Sequence, residues 1–77
     1  MKTLDEFVKL FSEQLEDTDS SSVTPQTKFR ELDEWSSLLA LTLISMVDEE
    51  FDVTLKGDDV KNSETIEDVY NVIISKK

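Results

Sequence analysis

The chain has 77 residues, enough for one small core and close to the size below which a single core stabilises only marginally. It carries 18 acidic against 8 basic residues, a net charge of −10, which excludes nucleic acid and anionic membrane surfaces as natural partners and favours basic patches on other proteins. It has no cysteine and no histidine, so disulfides, thiolate metal sites and the commonest general base are all excluded. With one Gly and one Pro among many Leu, Glu, Asp and Val, the composition is that of a helical protein. A single domain over residues 1–77 is expected.

In chain order, Leu4, Phe7, Val8, Phe11 and Leu15 fall on one face of a 3.6-residue period and predict a first helix. Thr3 and Glu6 have the spacing of a capping box at its start. The helix should fade in "EDTDSSS", where Asp and Ser bond their own backbone. A long connection follows, from about residue 17 to 35, pinned to the core by Val23, Phe29 and Leu32, with a turn started by Pro25.

The second helix is expected from Ser37 to Phe51. Leu43, Ile44, Val47 and Phe51 form its buried stripe, while Leu39 and Met46 lie on another face. Leu38 and Leu41 lie on yet another, where they either join the core or meet a partner. The chain should break at Gly57, with a single helical turn over Asp58 to Lys61. Ile66, Val69, Tyr70 and Ile73 predict the last helix, opened by a second capping box of Thr65 and Asp68. The expected architecture is all-α: a small bundle of three long helices plus one short helix, with a long loop between the first two.

The acids are concentrated in the middle of the chain. Residues 36–59 hold Asp48, Glu49, Glu50, Asp52, Asp58 and Asp59 against Lys56 alone. Asp48, Glu49 and Glu50 stand at the electrostatically unfavourable end of their helix, which suits recognition, or a weak divalent cation, better than stability. No EF-hand spacing or other metal motif occurs. No segment is apolar over enough residues to span a bilayer, and a cytoplasmic monomer is expected.

"DEWSSLLAL", residues 33–41, places two hydroxyls at the mouth of the most apolar segment. One serine can cap the helix and the other stays free. A free hydroxyl at a helix start is a favourable place for a phosphate or phosphodiester. Catalysis by the serine itself would need a base and an oxyanion hole that a chain without histidine does not obviously supply. Two readings follow: a residue modified by another enzyme, or an acidic helical interaction module whose serines are caps or kinase sites.

"TKFRELDEWSSLLALTLISMVDEEFDVTL" resembles the acyl carrier proteins, in which a serine followed by Leu opens the second helix and an "EEF" run closes it. The likeness extends from the amphipathic first helix to "SETIEDVYNVI". It implies that Ser37 receives 4′-phosphopantetheine from coenzyme A through a phosphopantetheinyl transferase. The chain would then hold acyl groups as thioesters for fatty-acid, polyketide or related synthesis, with no catalysis of its own. It further implies that Leu38, Leu41, Asp48, Glu49 and Glu50 meet acyl-processing enzymes with basic docking patches. A core lined by Phe7, Phe11, Leu43, Val47, Phe51, Val69 and Ile73 could part to shelter the cargo. One departure stands out: the family has Asp before the modified serine, where it helps engage the modifying enzyme and its metal ion, and this chain has Ser36.

Overall fold

The computed structural model describes residues 2–16 and 18–77; Asp17, where the long connection was expected to begin, lies outside them. Four helices follow in order: α1 (Leu4–Glu13), α2 (Ser37–Phe51), α3 (Gly57–Lys61) and α4 (Ile66–Lys76). Short 3₁₀ turns at Ser20–Ser22 and Phe29–Glu31 interrupt the connection between α1 and α2. Among the described residues there is no strand, and no helix is long and apolar enough to cross a membrane. The expected all-α arrangement of three long helices and one short helix is what forms.

Both capping boxes are made. The Glu6 N–H donates to Thr3 Oγ1 at 3.2 Å, and the Thr3 N–H donates back to Glu6 Oε1 at 3.3 Å. At α4 the Asp68 N–H donates to Thr65 Oγ1 at 3.2 Å, while Asp68 Oδ2 accepts the N–H groups of Glu64 and Thr65, each at 3.1 Å. These backbone donors, Thr65 first, hold the Asp68 carboxyl below the ordinary carboxylate value. Each box satisfies N–H groups that the first helical turn cannot pair internally.

The core is built from Phe7 and Phe11 of α1, Leu43, Val47 and Phe51 of α2, and Ile66, Val69 and Ile73 of α4. Phe7 sets its edge against Phe51 with ring centres 5.6 Å apart, a favoured aromatic geometry. The N-terminal approach is tied down at its far end, where the Tyr70 hydroxyl donates to the Lys2 carbonyl at 2.7 Å.

Along α2 the buried arc is shifted from expectation. Met46, expected on a face away from the core stripe, is buried, whereas Ile44 is only half-buried and packs at the core's margin. The helix packs beside α3, and Phe51 at its end meets Phe7 of α1 and Tyr70 of α4, so a wide arc rather than a single stripe turns inward. Leu38 and Leu41 are outside the core altogether.

α2 ends at Phe51 as expected, closed by Asp52, whose φ of 56° and ψ of 40° are left-handed and whose N–H bonds the Asp48 carbonyl at 3.1 Å. Asp is among the few side chains that tolerate this conformation. Beyond it Val53 and Leu55 are buried while Thr54 and Lys56 are exposed, so a short extended segment seals the core by alternation. Gly57, expected to be the break, is instead the first residue of α3 with no left-handed φ. The Lys56 N–H donates to Asp59 Oδ2 at 2.9 Å, holding the Asp59 carboxyl below its ordinary value.

The connection between α1 and α2 is folded onto the body. A radius of gyration of 11.1 Å matches the roughly 11.5 Å expected of a compact chain of this length. Val23 and Phe29 are buried and Leu32 packs partly buried against the core, as their apolar character implied. Pro25 occupies a turn closed by the Thr27 N–H on the Thr24 carbonyl at 3.0 Å.

Candidate functional site

The approach to α2 is fixed by two side chains whose roles the sequence does not display. Glu34 reaches back to the end of α1, its carboxylate accepting the N–H of Glu16 at 3.0 Å and of Thr18 at 3.1 Å. Trp35 stacks nearly parallel to Phe11 at 6.4 Å and meets Phe29 edge-on at 4.9 Å. Phe29 is wholly buried, so this aromatic trio anchors the connection immediately before the serines.

From that anchor the two hydroxyls take different parts. Ser36 is extended, with φ −154° and ψ 173°, and its Oγ accepts the Leu39 N–H at 3.4 Å, so it is the N-cap. Ser37 is the first helical residue; it is exposed, and its Oγ makes no hydrogen bond among the described residues. The hydroxyl at the positive end of a 15-residue helix is therefore the one left available to chemistry.

Beside Ser37 lies an open groove of about 410 Å³ between the start of α2, the Phe29–Glu31 turn and α3. Trp35, Ala40 and Val60 give it an apolar floor, and Arg30 and Lys61 give it two cations. A phosphodiester with a partly apolar arm suits this donor set: a free hydroxyl for attachment, cations for the anion, and apolar wall beyond. A second opening, between α1 and α2, is lined by Phe11, Leu15, Trp35, Leu39 and Leu43 and offers about 10 Å³. That is room for roughly one water, so cargo can enter the core there only if the helices part.

Leu38 is 73% exposed and Leu41 61% exposed. With about 100° of turn per residue, Ser45, Asp48 and Glu49 continue the same outward face, and all three are exposed. Glu50 is not brought to it; it lies toward the N-terminal approach and pairs with Lys2 at 3.6 Å. Among the described residues no three carboxylates converge as a metal site, so Asp48, Glu49 and Glu50 do not form one.

No curated protein matches the chain. A family model described as "Phosphopantetheine attachment site" matches residues 5–73, nearly the whole chain, and spans both serines and the groove beside them. The chain belongs to this family of phosphopantetheine-bearing carrier proteins, the family of the acyl carrier proteins, and its cofactor is covalently attached 4′-phosphopantetheine.

Proposed function

We propose that Ser37 is the residue that carries the phosphopantetheine, and that the chain is a mobile acyl carrier. The observation behind this reading is the division of labour between neighbouring serines: Ser36 Oγ is engaged as a cap, while Ser37 is exposed and its Oγ makes no hydrogen bond among the described residues. Attachment forms a bond from Ser37 Oγ to phosphorus, breaks the pyrophosphate of coenzyme A and releases adenosine 3′,5′-bisphosphate. The hydroxyl proton passes to a base of the modifying transferase, because this chain has no histidine to take it. Once attached, the group supplies a thiol for thioester linkage, which a chain without cysteine does not itself possess.

The outward face of α2 supports a docking role in fatty-acid or related synthesis. Leu38 and Leu41 present apolar surface beside Ser37, and Asp48 and Glu49 present charge beyond it, matching enzymes with basic rims around an apolar entrance. Glu50 lies at the margin of this surface. The acid-free run from Leu39 to Val47 favours a specialised pathway with clients that grip the serine end by apolar contact.

The test is intact-protein mass after incubation with coenzyme A and a broad-specificity phosphopantetheinyl transferase. A phosphopantetheine gain in the parent and in Ser36→Ala, lost in Ser37→Ala, is expected. A gain that survives Ser37→Ala would reassign the site. No gain in the parent or in Ser36→Asp would leave the interaction-module reading as the better account.

A further inference from the structure

Two openings flank the start of α2, the groove beside Ser37 and the narrow opening between α1 and α2. Among the described residues Trp35 is the one side chain that lines both. The indole is therefore the partition between the surroundings of Ser37 and this end of the core. A hydrophobic staple would account for an apolar residue just before an N-cap, by packing it on the fourth helical residue. Here that residue is Ala40, too small to occupy an indole, and Trp35 turns to other partners.

Those partners lock it in place. Trp35 lies within 8° of parallel to Phe11 and meets Phe29 edge-on, and Phe11 and Phe29 are themselves 5.7 Å apart, closing a triangle of rings. The backbone is held as well: the Trp35 N–H donates to the Leu32 carbonyl at 3.0 Å, and the preceding Glu34 is tied to the end of α1. A flexible side chain such as methionine yields space by turning about its own bonds. A ring moves as a whole, and moving this one would break both ring contacts and bare the fully buried Phe29. The opening behind it offers about 10 Å³, too little for an alkyl chain in an interior packed as densely as an organic crystal.

We propose that Trp35 closes the core against the cargo, and that the chain carries acyl groups with little apolar chain. This deepens the carrier reading and rests on attachment at Ser37. A long saturated chain kept out of the core leaves every methylene in water, which is unfavourable in proportion to the area exposed. A short or polar acyl group has little such area and needs no shelter. Trp35 is thus a determinant of cargo class: the indole that pins the connection to α1 also sets how much apolar chain the carrier accommodates.

The experiment loads the parent, Trp35→Leu and Trp35→Ala from acetyl- or octanoyl-coenzyme A with the broad-specificity transferase, each product verified by intact mass. The acetyl and octanoyl forms of the parent should melt within about 2 °C of each other, since the chain gains no burial. Trp35→Ala should melt below the parent as its acetyl form and recover about 4 °C or more as its octanoyl form, the chain filling the space the indole vacates. In NMR, isotope-labelled octanoyl methylenes should show no NOE to the Leu43 or Val47 methyls in the parent and clear NOEs in Trp35→Leu, which keeps the test open if Trp35→Ala does not fold. Such NOEs in the parent, or an octanoyl parent melting well above the acetyl form, would overturn the closed core and leave attachment intact. Variants that gain nothing from octanoyl would overturn Trp35 as the partition. Failure to load from either coenzyme A would overturn attachment itself, and the mass spectrum separates that result from the others.

Discussion

The paired serines make opposite predictions for the same substitution. Ser36 Oγ accepts one helix-start N–H at 3.4 Å, a long bond at an exposed position, so Ser36→Ala should cost about 0.5–1 kcal/mol, the lower part of the range for lost N-caps. For a domain of this size each kcal/mol moves Tm by roughly 4–8 °C, so a fall of about 2–8 °C is expected. Ser37 lies inside the first turn, and its hydroxyl makes no hydrogen bond among the described residues. Alanine is the better helix former there by a few tenths of a kcal/mol, so Ser37→Ala should leave Tm unchanged or slightly raised. Ser36→Asp should match or exceed the parent, since Asp caps as well as Ser and adds a favourable charge at the helix start, about 0.3–1 kcal/mol. It also restores the residue that the family places before its modified serine, and should load faster. The assay is thermal melting of all three variants by circular dichroism, with loading rates by mass. If Ser37→Ala lost as much stability as Ser36→Ala, the assignment of cap and free hydroxyl would be refuted.

Phe29→Ala should cost about 3–5 kcal/mol, as expected for a fully buried aromatic, here one that anchors Trp35; a denaturant midpoint showing under 1 kcal/mol would contradict the trio's role in pinning the connection. Leu38→Ser and Leu41→Ser should each change stability by less than about 0.5 kcal/mol while weakening client binding, and a large fall in Tm would show that these side chains pack inward. Salt or divalent ions should raise Tm by relieving the repulsion of a −10 chain, and an unmoved Tm would remove that argument. On acidification two effects compete. Protonation first relieves repulsion, so Tm should rise from pH 7 toward about pH 5. Asp59 and Asp68 have folded values below the ordinary 3.8, so the stability they contribute is complete above that value and is lost as pH falls through their lower folded values. Tm should therefore turn downward below about pH 4; a continuous rise into stronger acid would count against these two caps.

The helices were legible because apolar spacing and caps agree locally. Thr3 with Glu6 and Thr65 with Asp68 mark helix starts by chemistry confined to four residues, and Ser37–Phe51 is bounded by a capping serine and the end of an apolar run. Contacts made across the chain were not legible. Glu34 reads as one more acid until its carboxylate is seen closing on N–H groups 16 and 18 residues earlier. The end of the helix at Phe51 was legible, but not that Asp52 would close it in a left-handed turn, which sets Val53 and Leu55 into the core. At the site, the resemblance singled out Ser37, and the bundle shows why Ser36 is the occupied neighbour. Arg30 and Lys61 lie 31 residues apart in sequence and share a groove only once α3 is folded beside α2.

The outward face of α2 is divided along its length, and on the proposed docking role that division separates capture from retention. Asp48 is 11 residues beyond Ser37, roughly 16 Å along a helix, about twice the screening length at physiological ionic strength. Carboxylates at that distance add little to the grip at the serine, but their field draws a basic client into orientation before contact. Leu38 and Leu41 carry no charge and act only after contact, by excluding water. Raising salt should therefore slow a client's arrival while leaving its residence time nearly unchanged. A carrier built this way can visit many enzymes quickly and stay only where an apolar hollow receives its leucines.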